Sequence, residues 1–100
     1  MDVFEAVRTV LAVRKYQDKP VSAEIIRRIV EAGHLTASSQ NGQPWHFIVI
    51  QKPDTLRQIG ALAHSGPYIA QAAFAIVVAV ERTKYAVSDG SRAIQSMILT

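Results

Sequence analysis

The chain contains the stretch Ser38-Ser39-Gln40-Asn41-Gly42-Gln43-Pro44-Trp45, which leads through His46 into the apolar run Phe47-Ile48-Val49-Ile50. Five of the first seven side chains can form hydrogen bonds, and hydroxyls and amides can both donate and accept them. A polar loop held against a buried strand therefore suits a neutral heterocyclic ligand better than a metal ion or a lone phosphate. The same residues also allow a simpler interpretation, an ordinary polar turn before a strand.

The composition is that of one small globular domain. The chain has 100 residues, of which 49% are hydrophobic and 19% charged, and compact domains most often have about 100 to 150 residues. The longest apolar run, residues 69–80, is shorter than the ~20 residues that a membrane-spanning helix needs. No secretory signal pattern is found near Met1. We therefore expect a cytoplasmic protein with no membrane partner.

The chain lacks cysteine and carries a net charge of +3. Without cysteine there are no disulfides, thiolate nucleophiles or thiolate-bound metals, so any redox chemistry must come from a cofactor. The basic residues are scattered, with Arg14-Lys15 and Arg27-Arg28 as adjacent pairs, and predict no nucleic-acid partner. The three histidines, His34, His46 and His64, lack the spacing of metal ligands, so no metal site is expected.

Hydrophobic spacing and turn signals predict four helices, two strands and an additional helical turn. The predicted elements are a helix from Asp2 that stops by about Arg14, a helix after Ser22, a strand at 45–51, a short helix from Pro53, a helical turn within 68–73, a buried central strand at 74–80, and a helix at 87–100 with Asp89 as its N-cap. Two strands rarely form a stable layer alone. We therefore expect either that the protein continues beyond Thr100, where the helical pattern has not ended, or that a partner chain completes the sheet.

The stretch from Ala37 to Ile50 closely resembles the signature of the nitroreductase family of FMN-dependent oxidoreductases, in which a Ser-Ser-x-Asn-x-Gln-Pro-Trp loop precedes a core strand. The resemblance continues through Val13-Arg14-Lys15-Tyr16 and Lys19-Pro20-Val21, and later through Asp89-Gly90 and Gln95. It covers residues 1–100, but only the N-terminal half of the family's usual domain.

The resemblance implies an α+β fold, in which a central, mainly antiparallel sheet is flanked by helices and two chains form an intertwined homodimer. This chain would cover only part of that fold. Family members bind FMN at two sites in the dimer interface, each lined by both subunits. They take a hydride from NAD(P)H onto the flavin and pass electrons to a small-molecule acceptor such as a nitro compound or quinone. Because the cofactor carries the chemistry, no catalytic side chain is expected.

The resemblance also implies the cofactor-binding residues. Ser38, Ser39 and Asn41 match the positions that contact FMN across the dimer interface. Gln43 matches the signature as well, although it could equally hold the loop to its own backbone. Arg14 matches a cation that grips the phosphate of FMN.

The residues that would bind the phosphate of FMN depart from the family pattern. The family has an Arg-Arg-Ser-x-Arg-like stretch where this chain has Val10-Leu11-Ala12-Val13-Arg14. A buried phosphate dianion without enough donors is costly. Three alternatives follow: Arg14 binds the phosphate with help from Lys15, Arg8 or residues outside this chain; FMN binds weakly; or the site serves another ligand in a non-catalytic or cofactor-altered protein. A structural alternative is that the aliphatic residues only lengthen the packed face of the first helix.

Overall fold

The chain forms four helices and two strands. A computed structural model describes all 100 residues, Met1–Thr100. The elements are helix α1 (Val3–Thr9), helix α2 (Ala23–His34), strand β1 (Trp45–Ile50), helix α3 (Pro53–Leu62), strand β2 (Ala75–Val80) and helix α4 (Ala86–Leu99). Two 3₁₀ turns lie at Ser39–Asn41 and Pro67–Gln71. Every helix and strand predicted from the sequence is present.

The chain divides into two compact units. The first consists of Met1–Leu11, Ser22–Phe47 and Val78–Thr100, and the second of Ala12–Val21 and Ile48–Val77. In the first unit α4 packs on α2 and touches α1, whereas in the second unit α3 packs on the 3₁₀ turn that follows it. The longest helix, α4, has 14 residues, and no helix is both long and apolar enough to span a bilayer.

Strands β1 and β2 form a two-stranded sheet. The Glu81 N–H donates to the Pro44 carbonyl over 2.8 Å, which places the end of β2 beside the start of β1 and makes the pair antiparallel. The prediction of a fully covered central strand is not met within this chain, because β2 has a single neighbour and Val77 remains 41% exposed. The sheet is incomplete, as the sequence predicts.

Helix α1 ends earlier than its hydrophobic spacing predicts. Asp2 caps it as expected, its carboxylate accepting from the Glu5 N–H at 2.8 Å, but the backbone becomes extended at Val10. None of the α1 residues is buried, and short helices depend on packing for their stability. Because the helix has ended by Val10, the alternative in which residues 10–13 lengthen a packed helical face is wrong, and Leu11 is 80% exposed in this chain.

Helix α2 is fixed by its cap and by close packing at its end. The Ser22 hydroxyl accepts from the Ile25 N–H at 3.2 Å, which satisfies one of the free donors of the first turn. At the other end, a Cβ on Gly33 would lie 3.0 Å from atoms of both Met97 and Phe47. The glycine that weakens the helix by propensity is thus what allows α4 to approach α2.

Candidate functional site

The polar turn before β1 has an unusual backbone. Gln40, Asn41 and Gln43 have φ angles of 55°, 53° and 47°, and no other residue of the chain has a positive φ. Gly42, the residue best suited to that conformation, has φ −70°. A left-handed conformation costs a residue with a side chain about 1–2 kcal/mol, and such strain concentrates at functional sites. The turn is therefore the leading candidate for a binding site.

Side-chain hydrogen bonds within the turn determine which donors remain free. The Gln43 N–H donates to Ser38 Oγ at 2.9 Å, and Gln43 Nε2 donates to Asn41 Oδ1 at 2.8 Å. Ser38 and Asn41 act only as acceptors in these bonds, and the Ser38 hydroxyl proton and both Asn41 Nδ2 protons donate to no atom of the chain. Gln43 holds the loop together, as one sequence-based alternative predicts, but its side chain bonds to the Asn41 side chain and not to the backbone, and its own N–H bonds to the Ser38 side chain.

Ser39 is bound to a residue 50 positions away in the sequence. Its N–H and its Oγ donate to the same Asp89 carboxylate oxygen, at 2.9 and 3.1 Å, so both Ser39 donors are occupied. Asp89 is 2% exposed and lies in the first turn of α4, where the helix dipole favours a negative charge. The prediction that Asp89 is the helix N-cap is wrong, because α4 begins at Ala86 and Tyr85 holds the N-cap position.

Small side chains let α4 come close enough for this contact. A Cβ on Gly90 would lie 2.9 Å from Val80 Cγ2, which shows that the helix backbone lies directly against β2. Ala93, one turn further along, has no exposed surface. The close packing of α4 thus places the Asp89 carboxylate beneath the polar turn.

The residues after the turn anchor it to the sheet. Pro44 is buried, and Trp45, the chain's single tryptophan, is 5% exposed. The rings of Trp45 and Phe47 lie 6.2 Å apart between centroids. The buried Trp45 Nε1 has no hydrogen-bond partner in the chain. Core packing is therefore the observed role of Trp45.

Arg14, the residue predicted to bind phosphate, belongs to the second unit. Its guanidinium lies 6.0 Å from the centre of the Tyr68 ring, against which Tyr16 packs edge-on at 6.3 Å. A cation over an aromatic face is attracted by the ring. Arg14 forms no ion pair, whereas Arg8 pairs with Glu5 at 2.7 Å. The Arg14 charge is therefore available to an anion, and that of Arg8 is partly compensated.

Other candidates for a site are weaker. No group of three or more His, Asp or Glu side chains is arranged to hold a metal ion. His46 and Glu81 lie 3.8 Å apart, but both side chains are about two-thirds exposed, at 66% and 67%. The second unit has a cavity of about 350 Å³ between residues 17–21, the start of α3 and residues 70–73. Lys19, Pro20 and Val21 of its lining belong to a stretch that resembles the family sequence, but none of the predicted cofactor-binding residues lines it.

Comparisons with known proteins agree with the signature in the turn. Residues 8–99 match the sequence model of the nitroreductase family. A protein of Methanothermobacter thermautotrophicus, provisionally named NADH dehydrogenase/NAD(P)H nitroreductase, is 35% identical over 104 residues, which cover 99% of this chain and 54% of that protein.

Solved structures show the same fold. A protein of Bacteroides thetaiotaomicron with the same provisional name has a TM-score of 0.91 at 28% identity, over 96% of this chain and 58% of its own. A provisionally assigned nitroreductase of Desulfovibrio desulfuricans, solved in complex with FMN, has a TM-score of 0.87 at 30% identity. The match covers 97% of this chain and 60% of the Desulfovibrio protein.

The present chain thus spans little more than half the length of the proteins that it resembles, between 54% and 60%. The likeness confirms the predicted nitroreductase-like α+β fold, with helices around an antiparallel sheet, and it confirms that the chain covers the N-terminal part of that fold. Because the family match runs from residue 8 to residue 99, the chain belongs to the nitroreductase family.

Proposed function

We propose that the protein is an FMN-dependent oxidoreductase that uses NAD(P)H to reduce a nitro compound, a quinone or a similar small organic acceptor. Bound FMN would supply the redox chemistry, taking a hydride from the nicotinamide and passing electrons to the acceptor. Family membership supports this proposal, as do the names of the relatives, one of which was solved with FMN. The chain's own residues would bind and orient the cofactor.

The observation that carries the proposal is the strained turn with its free donors. The pyrimidine edge of a flavin presents carbonyl oxygens, which require hydrogen-bond donors. Ser38 has a free hydroxyl proton and Asn41 a free amide N–H₂ group, since each side chain accepts a bond from Gln43 but donates none within the chain. Ser39 can offer only its oxygen lone pairs, because both of its donors are bound to Asp89. This donor set fits the ring of FMN.

The phosphate end of FMN has fewer partners in this chain. Arg14 and Lys15 form no ion pair, and we assign the phosphate to Arg14, with Lys15 as a second positive charge. Charge-assisted bonds from a guanidinium are well suited to a phosphate. Further donors would come from the part of the fold that lies outside these 100 residues.

We also propose that the protein is a homodimer whose FMN sites are shared between subunits. The apolar side chains of the two terminal helices support this, since several remain exposed in the chain: Val3 77%, Phe4 71%, Val87 84% and Ile98 56%. Exposed apolar surface of this extent is typical of protein interfaces.

The visible absorbance spectrum of the purified full protein tests the proposal. We expect a flavin spectrum, or saturable uptake of FMN on titration, and flavin-dependent oxidation of NAD(P)H. Asn41→Gly keeps a residue that tolerates positive φ but removes the free amide group, together with the oxygen that accepts from Gln43 Nε2. We expect it to weaken FMN binding at least about tenfold, the effect of one lost hydrogen bond. Gln40→Gly is the matched control, because it relaxes the same backbone without removing a bonded side chain. A protein that takes up no FMN would refute the proposal.

A second candidate function is a non-catalytic or cofactor-altered ligand-binding protein of the same fold. It is favoured by Val10, Leu11 and Ala12, which stand where the family has cations and a hydroxyl. Leu11→Arg distinguishes the two functions without disturbing packing, since Leu11 is 80% exposed. A steep rise in FMN affinity would show an intact but under-charged site, whereas no change would favour the altered function. Leu62→Arg, at a position 85% exposed, controls for a general effect of added charge.

A further inference from the structure

Asp89 is a buried carboxylate whose side-chain bonds all go to one residue. It is 2% exposed, and a charge removed from water must find hydrogen-bond donors. It accepts both of its side-chain bonds from Ser39, at 2.9 and 3.1 Å. These bonds are the only side-chain bonds that connect residues 38–43 with another helix or strand. Asp89 is therefore well placed to control the shape of the turn.

The turn needs such a constraint. Left-handed residues with side chains persist only where the surroundings impose the conformation, and three of them, Gln40, Asn41 and Gln43, lie within four residues after Ser39. The bond from the Gln43 N–H to Ser38 Oγ closes the turn on itself. It does not fix the turn in the molecule, whereas the Ser39–Asp89 contact does.

We infer that Asp89 is a positioning residue of the flavin site, which holds Ser39 so that Ser38 and Asn41 present their free donors to the ring. This inference rests on the proposed function. Asp89 need not touch the cofactor, because its effect passes through Ser39. Because Asp89 uses both Ser39 donors, Ser39 can only accept hydrogen bonds from a ligand, whereas Ser38 and Asn41 can donate them.

The experiment compares three variants of the full protein. Asp89→Ala leaves Ser39 without an acceptor, and we expect FMN to bind about tenfold more weakly, as for the loss of a buried hydrogen bond. Asp89→Asn keeps an oxygen that can accept both bonds, so we expect most of the affinity to be retained. Ser96→Ala is the matched control, because it removes another long-range bond of α4, in which the Ser96 and Thr36 hydroxyls lie 2.8 Å apart, without touching the turn.

Two readouts separate positioning from a general loss of stability. The first is the visible circular dichroism of saturated FMN, which we expect to change in Asp89→Ala, to be restored in Asp89→Asn and to be unaffected in Ser96→Ala. The second needs no cofactor: amide hydrogen exchange at residues 39–43 should become faster in Asp89→Ala and not in Ser96→Ala.

The possible failures can be told apart. If the unaltered protein binds no FMN, the proposed function is refuted, and the flavin role of Asp89 with it. If the unaltered protein binds FMN but folded Asp89→Ala matches it in affinity, spectrum and exchange, only the positioning role is refuted. An equal loss of affinity in Ser96→Ala and Asp89→Ala would also overturn that role, because it would reflect stability alone.

Discussion

The close contact between Gly90 and Val80 predicts that Gly90→Ala destabilises the protein, the opposite of the effect that helix propensity predicts. In a helix interior, alanine is favoured over glycine by about 1 kcal/mol, so helix propensity alone predicts that Gly90→Ala stabilises the protein. The new methyl group would lie 2.9 Å from Val80 Cγ2, well inside the ~3.5–4.0 Å optimum for two carbon atoms. Valine is stiff at χ1 and cannot easily turn away. Overpacking of this kind costs about 1–3 kcal/mol, so we expect a net loss of up to about 2 kcal/mol.

Removing the clash should restore stability. Val80→Ala alone deletes two half-buried methyl groups, a loss of about 1 kcal/mol. In the double variant the methyl group added to Gly90 enters the space that Val80 vacates, so the double variant should be more stable than the sum of the single effects by about 1 kcal/mol or more. Urea denaturation at fixed protein concentration, followed by Trp45 fluorescence and circular dichroism, measures all four proteins. Stabilisation by Gly90→Ala, or additive effects in the double variant, would refute the reasoning.

Two further predictions concern packing and charge. Gly60→Ala should destabilise the protein by up to about 2 kcal/mol, which is the overpacking cost less the gain in helix propensity, because the new Cβ would lie 2.9 Å from the backbone nitrogen of Ala70. In the same denaturation assay Gly42→Ala, whose Cβ would lie 3.4 Å from its nearest neighbour, should change stability by less than about 0.5 kcal/mol. Arg14→Gln should weaken the binding of FMN about tenfold, as for one lost charged hydrogen bond, and leave riboflavin binding unchanged, because riboflavin has no phosphate. Fluorescence titration with both flavins checks this, and an equal loss for the two would place Arg14 away from the phosphate.

Features that depend on residues close together in the sequence could be predicted from the sequence. Asp2 and Ser22 cap α1 and α2 through N–H groups three residues away, and Pro53 opens α3, so the positions of these helices follow from local chemistry. The polar turn was also identifiable, because its signature is contiguous. That turn, moreover, needed no knowledge of the rest of the fold to be identified as the candidate site.

Features that depend on packing could not be predicted in this way. Helix α1 ends at Thr9 because nothing in the chain covers it, which the spacing of its apolar residues does not reveal. Asp89 has the right type and position for a helix cap, and only the approach of α4 to the turn shows that it binds Ser39 instead. Gly33 and Gly90 weaken a helix by propensity, yet the structure requires them for close contact.

The bond between Ser39 and Asp89 also sets an order of events during synthesis. A ribosome adds about 5–20 residues per second, so Asp89 is made roughly 3 to 10 s after Ser39. During that interval the polar turn has its own internal bonds but no carboxylate to hold it. Closing a loop of this length must precede any gain from the contact. The most strained part of the chain is therefore translated in its first half, and it acquires its final shape only when α4 has formed and docked.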